Sequence, residues 1–304
     1  MPDPNSHTEA KKSLTFVLKQ KDEDDFRLLA SFCVETPDVH MESVNVLSED
    51  KAVDILITDA PDNLRGRITK ALIGKKLEAD FCLQAAENRK KKILICDMDS
   101  TLIGQECIDE LADFAGVKDH VSAITERAMH GELDFEEALI ERVGLLKGLP
   151  LQALSNCYNR RITLNDGAKT LAATMKANGA KTVIVSGGFN YFTGHIAKAA
   201  GFDVHQANTL HDDGKVLLGT VGMPILGRDA KKQALEEHSA PLGGPSCALA
   251  IGDGANDLAM ITASGLGIAY RAKPIVADAA HCAINHTDLT TALYFQGYKE
   301  SEFV

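Results

Sequence analysis

Four short, almost unbroken apolar runs dominate the chain after residue 90: KKILICD, KTVIVSGG, CALAIGDG and LGIAY. A strand with one wet face alternates polar and apolar residues. A run that is apolar at nearly every position is buried on both faces, as strands are in a parallel sheet covered by helices. The first three runs end in Asp, Gly or Ser, which collects polar groups at the carboxyl ends of the strands, where α/β sheets bind their ligands. This part is therefore expected to be an α/β fold with a Rossmann-like parallel sheet core. The stretch from Glu106 to about Lys176 has helical spacing throughout and is too long for one crossover connection. Its first part is read as a helical cap inserted at about 105–172. Residues 202–222 hold an Asp-Asp-Gly turn between alternating segments and predict a hairpin.

The first 85 residues follow a different pattern. Strand SLTFVL, helix DEDDFRLLASFCVE, strands HMESVNVLS and AVDILITD, helix DNLRGRITKALIGKKL and strand ADFCLQA give an α+β βαββαβ order. That order suits a small antiparallel sheet backed by two helices. The expected division is residues 1–88 for this unit and 89–304 for the α/β unit. The basic run Arg89 to Lys92 is read as a junction that few contacts cross.

With 304 residues the chain has room for both units. A formal charge of -11 and a pI near 5.4 argue against a nucleic-acid partner, whose backbone is gripped by clustered Lys and Arg. Seven cysteines are scattered without a CxxC pair, so neither a zinc knuckle nor a disulfide framework is expected. The opening MPDPNSHTEAKK has no apolar signal core, and no apolar run nears the ~18 residues of a membrane span. A cytoplasmic location with reduced thiols is the expectation.

The chemistry lies at the strand ends. In DMDST, Asp97 and Asp99 stand two positions apart just past a buried strand. Two such charges repel unless a proton or cation intervenes, and a hard, oxygen-seeking ion such as Mg²⁺ fits. Helix capping is the rival explanation of the same residues. GDGAND adds Asp253, Asn256 and Asp257 after a second buried strand. Asp97, Asp253 and the carbonyl oxygen of Asp99 then form a three-oxygen metal set, with Asp257 orienting a metal-bound water from behind. VSGGF offers the Ser186 hydroxyl and the backbone N–H groups around Gly187 and Gly188, with no side chain to block a phosphate. Lys231 in RDAKKQAL is the candidate cation for a phosphate oxygen, with Lys232 its competitor. A carboxylate nucleophile, a metal, a lysine and a Ser/Gly cradle make up a phosphoryl-transfer site. In it Asp97 attacks phosphorus, and Asp99 gives a proton to the leaving alkoxide and later takes one from water.

In this order the motifs resemble those of the haloacid dehalogenase-like superfamily. The segments DMDSTLIGQECIDELADFAG, ITERAMHGELDFEEALIERVGLL, VIVSGGF, ANTL…DDGKV…GTV and IGDGANDLAMI…GLGIAYRAKP are similar to its phosphoserine phosphatase family, from about Lys92 to Leu293. The resemblance implies a Mg²⁺-dependent hydrolase of phosphoserine that closes a serine biosynthesis route through an aspartyl-phosphate. It assigns Asp97, Asp99 and Asp253 to the metal, and Ser186, Gly187, Lys231 and Asn256 to the phosphate. It assigns Glu106 to the substrate ammonium, Arg142 to its carboxylate, and Met129 and Phe135 to the cap over the serine backbone. The βαββαβ unit looks like ACT-type (ferredoxin-like) regulatory modules. Two readings stay open for it: an amino-acid effector site, or a packing or homodimerisation surface without ligand. Other small phosphomonoesters, or transfer to an alcohol, remain the alternative for the reaction.

Overall fold

The computed structural model describes residues 11–32, 36, 38–130 and 132–304, without the side chains of Asp59 and Met129. The chain opens as β1 (Lys12–Leu18), α1 (Glu23–Ala30), β2 (His40–Ser48), β3 (Ala52–Asp59), α2 (Leu64–Lys75) and β4 (Ala79–Ala85). The four strands form one sheet in the order β2-β3-β1-β4, with antiparallel pairing throughout. Asp22 caps α1 by accepting from the Asp25 N–H. That helix stops at Ala30, short of the predicted end at 35, because Ser31 takes the C-cap position with a bond to the Arg27 carbonyl. Residues 33–35 of the predicted helix lie outside the described residues.

The second unit begins with β5 (Ile93–Cys96). Helices α3 (Cys107–Phe114), α4 (Lys118–Met129), α5 (Phe135–Gly144), α6 (Gln152–Arg161) and α7 (Ala168–Ala177) follow. Then come β6 (Lys181–Phe189), α8 (Asn190–Ala200), β7 (Val204–Asn208), β8 (Leu210–Asp212), β9 (Leu217–Val221) and α9 (Arg228–Ser239). The chain ends with β10 (Ala248–Gly252), α10 (Leu258–Ala263), β11 (Leu266–Tyr270), α11 (Pro274–Ala279), β12 (Cys282–Ile284) and α12 (Thr291–Phe295). Six strands make a parallel sheet in the order β12-β11-β10-β5-β6-β7. All four residues of β5 are fully buried. Leu94 and Cys96 face one apolar layer, and Ile93 and Ile95 the other, which is why the run lacks alternation. The chain leaves β5 to enter β6 on one side and reaches β10 on the other, so the order reverses at β5 and opens a crevice at its carboxyl end. The predicted hairpin is shorter than 202–222. Its arms are β8 and β9, and FDVHQAN instead supplies β7, the edge of the parallel sheet.

The basic run Arg89 to Lys92 is not a sparse junction. Arg89 makes a two-pronged ion pair with Asp54 at 2.7 and 2.8 Å, and Asp54 also accepts from Ser13 and Thr15. The same guanidinium donates to the Phe295 carbonyl at 3.1 Å. Asp80 of β4 accepts from the backbone N–H groups of Asn285, His286 and Thr287 and from the Thr287 hydroxyl. The two units are thus tied by buried, charge-assisted bonds. Removing the Asp80 carboxylate strands three backbone donors, so Asp80→Ala is expected to cost about 3 kcal/mol. Thermal unfolding reads the loss, with turnover per folded molecule unchanged.

Six of the seven cysteines lie among the described residues, and all six are free thiols. Among the described residues, no helix is long and apolar enough to cross a membrane.

Candidate active site

The crevice at the end of β5 gathers the motif residues into a cavity of about 170 Å³. Its wall includes Asp97, Asp99, Glu106, Phe135, Arg142, Ser186, Gly187, Asp253 and Asn256. Chain directions explain the convergence. β5 delivers Asp97 and Asp99, β6 delivers Ser186 and Gly187, and the turn after β10 delivers Asp253, Asn256 and Asp257. The cap contributes Phe135 and Arg142 from α5. That helix is fixed at its start by a capping box, in which Asp134 accepts from the Glu137 N–H and the Glu137 carboxylate accepts from the Asp134 N–H. Met129, the last residue of α4, lies outside the described residues in its side chain.

Asp97 is buried, with one oxygen 2.8 Å from the Lys231 ammonium and the other accepting from the Met98 N–H at 2.8 Å. Lys231 is 1% exposed and also bonds Asp257 at 2.6 Å. Lys232 lies on the surface near Glu236, so helical phase decides between the two lysines. Burial works against the Lys231 charge, but the Asp97 and Asp257 carboxylates outweigh it and raise its pKa. Asp97 in turn is pushed well above the ordinary carboxylate range by burial and by the Asp257 charge, with Lys231 opposing.

Asp99 points elsewhere. One of its oxygens accepts from the Cys107 N–H at 2.8 Å, at the start of α3, and the other accepts from the Ser186 hydroxyl at 3.1 Å. Asp99 is not the N-cap of α3, a position that Glu106 holds; it reaches the first N–H of that helix from the loop before it while its carboxyl lines the cavity. Burial raises its pKa despite these bonds. Its approach needs Gly188, where a Cβ would sit 2.7 Å from the Asp99 Oδ2.

Oxygens of Asp97, Asp253 and Asp257 lie within 4.8 Å of one another. Burial and the Asp257 charge raise the Asp253 pKa to about 6. Three carboxylates thus share one lysine, and the surplus negative charge on hard oxygens suits a divalent cation. Thr101, which the sequence reading left out, steadies Asp253 by donating at 3.2 Å.

Glu106, on the cavity wall, has its pKa raised to about 7, by desolvation and then by the Asp99 charge. Ser100, also left out of the sequence reading, donates to it at 2.7 Å from a left-handed backbone position, φ 55°. Arg142 is half-buried, and among the described residues no ion pair engages its guanidinium; its Nε donates to the Ala138 carbonyl. Burial lowers its pKa, with Asp109 and Glu106 opposing. Arg142 and Glu106, of opposite formal charge and with no ion pair between them among the described residues, line the same small cavity.

The profile of the haloacid dehalogenase-like hydrolases matches residues 94–262. A phosphoserine phosphatase of Archaeoglobus fulgidus is 42% identical over 247 residues, which cover 80% of this chain and 71% of the relative. Among solved structures, a family hydrolase from Salmonella enterica subsp. enterica serovar Typhi superposes with a TM-score of 0.82 at 30% identity, over 94% of this chain and 98% of its own. The phospho-aspartyl intermediate analogue of a phosphoserine phosphatase aligns with a TM-score of 0.62 at 40% identity, over 67% of this chain and 98% of that one. The matched span runs from β5 to α10 and takes in both aspartate clusters, the Ser186 turn and the cap. The chain belongs to the haloacid dehalogenase-like hydrolase family.

Proposed function

We infer that this hydrolase is a phosphoserine phosphatase, releasing serine and inorganic phosphate as the closing step of serine biosynthesis. The observation that carries the reading is one small cavity whose wall joins the phosphate-binding candidates with two opposite charges that suit a zwitterion. Asp97, Ser186, Gly187, Glu106 and Arg142 line it, and Lys231 adjoins it through Asp97. An amino acid brings one ammonium and one carboxylate. The ammonium holds Glu106 ionised, and the planar Arg142 fork takes the carboxylate. A cavity of about 170 Å³ suits a small phosphomonoester of this size. Relatives and solved structures carrying the same name support the assignment.

In this reading Asp97 attacks phosphorus and becomes an aspartyl-phosphate while the serine oxygen leaves. Protonated Asp99 supplies the proton that makes the alkoxide a tolerable leaving group, consistent with the upward push of burial. Asp99, now ionised, takes a proton from the water that attacks the acyl-phosphate, and Asp97 is restored. Lys231, the Ser186 hydroxyl and the backbone around Gly187 hold the phosphoryl oxygens, and Asn256 reaches the same group. Asp97, Asp253 and the carbonyl oxygen of Asp99 are the proposed holders of Mg²⁺, with Asp257 set behind them. When bound, that cation offsets charge on the transferring phosphoryl group.

Residues 1–88 are read as an ACT-like (ferredoxin-like) unit on the strength of the β2-β3-β1-β4 order, and 89–304 as the catalytic unit. A cavity of about 780 Å³ beside α2 gives an amino-acid effector room. Among the described residues β2 pairs with a strand on one side only, and its exposed Met41, Val44 and Val46 give a homodimer a surface. Free thiols fit a cytoplasmic setting.

The test is phosphate release from phosphoserine and from a panel of other phosphomonoesters, with and without Mg²⁺. Phosphoserine is expected to be the preferred substrate, and a chelator to stop the reaction. Arg142→Ala is expected to raise KM for phosphoserine about 10- to 100-fold with a smaller change in kcat. Unchanged selectivity in that variant would remove the amino-acid reading while leaving the phosphatase chemistry.

A further inference from the structure

The two loops that grip phosphate in the proposed reaction come from different elements, and one buried side chain joins them. Asn208 ends β7 and is 3% exposed. Its Oδ1 accepts from the Leu226 N–H at 2.7 Å, and its Nδ2 donates to the Gly187 carbonyl at 2.9 Å and to the Leu226 carbonyl at 3.3 Å. The partners fix which end of the carboxamide is which, since a backbone N–H needs an acceptor and two carbonyls need donors. Gly187 belongs to the Ser186 turn. Leu226 precedes Gly227, the N-cap of the helix that carries Lys231.

The same two segments seat the cap. A Cβ on Gly187 would lie 2.9 Å from the Phe135 ring, and one on Gly227 would lie 3.4 Å from it. The ring therefore rests across two glycines whose spacing Asn208 sets. Neither Thr nor Ser reaches both carbonyls and the N–H at once, and Asp lacks the donor.

We propose that Asn208 is a positioning residue for phosphoryl transfer, a buried clip that holds the Ser186–Gly187 cradle in register with the Lys231 helix and with Phe135. It touches no reacting atom in this account. It acts by fixing the distance between groups that must grip one phosphoryl group together, where misplacement by an ångström is costly. The inference rests on the phosphatase reading above and adds the device that sets its phosphate-binding groups.

The experiment compares the full-length chain with Asn208→Ala and Asn208→Asp, the second of which keeps the acceptor for Leu226 and most of the volume. Initial rates with phosphoserine, product inhibition by inorganic phosphate, product inhibition by serine, and thermal unfolding are measured side by side. In both variants kcat is expected to fall about 10- to 100-fold and the phosphate inhibition constant to rise by clearly more than the serine inhibition constant. If Asn208→Ala does not fold, Asn208→Asp decides. A kcat within about twofold of the parent would overturn the inference. So would an equal loss of phosphate and serine binding, since that is the signature of general damage. A parent protein inactive on phosphoserine would instead sink the functional reading, which keeps the two failures apart.

Discussion

Asp97→Asn is expected to end turnover, with phosphoserine hydrolysis falling by at least about 10⁴-fold. The substitution keeps the size and shape of the side chain and removes only its nucleophilic charge. The fold should tolerate it. Burial already makes the Asp97 charge costly, and Lys231 keeps its 2.6 Å bond to Asp257. The unfolding midpoint in metal-free buffer is therefore expected to stay within about 3 °C of the parent. Mass spectrometry of rapidly quenched reactions provides a second readout: the peptide containing Asp97 should carry a phosphoryl group in the parent and none in the variant. Undiminished turnover in Asp97→Asn would rule out the covalent route, whatever the substrate. Lost turnover with a phosphoryl group on another residue would move the nucleophile.

The parallel core was legible because burial on both faces leaves a mark that local sequence carries, and β5, β6, β10 and β11 all fall on the four apolar runs. The site was legible for a related reason. In a sheet whose order reverses at β5, the residues at the carboxyl ends of β5, β6 and β10 face the crevice, so motif order predicts convergence. Asp257 and Gly252 illustrate how tight that coupling is, since a Cβ at Gly252 would sit 2.4 Å from the Asp257 carboxyl carbon. What escaped reading depended on long-range partners. Arg89 looked like linker charge until Asp54, 35 positions earlier, came into contact with it. Strand β12 has only three residues and no pattern of its own. Ser100 and Thr101 sat inside a recognised motif, but their tasks are set by Glu106 and Asp253, and hydroxyl rotation toward a partner has no sequence signature. Glu106 and Arg142 looked like ordinary helix charges. Only family resemblance singled them out, and the cavity they share gives that resemblance a physical basis.

Lys231→Ala is the second large loss expected, at least about 10³-fold in kcat. Among the described residues Lys231 is the one cation bonded to both Asp97 and Asp257, at 2.8 and 2.6 Å, and it is almost fully buried. Its removal leaves two buried carboxylates facing each other, with Asp253 alongside. In metal-free buffer that should cost about 3–5 kcal/mol of stability, the usual result of deleting one partner of a buried ion pair. A divalent cation then has less positive charge to compete with. Added Mg²⁺ is therefore expected to raise the unfolding midpoint by more in Lys231→Ala than in the parent, even though the variant hardly turns over. That opposition separates electrostatic grip on the phosphoryl group from mere support of the fold. A packing role would lower stability and activity together, and both would recover as metal restored the structure. Lys231→Arg should not rescue kcat, because a planar five-donor fork does not fit a slot shaped around a single ammonium. A metal-stabilised Lys231→Ala protein with near-parental kcat would show that the phosphoryl oxygens are held by other groups.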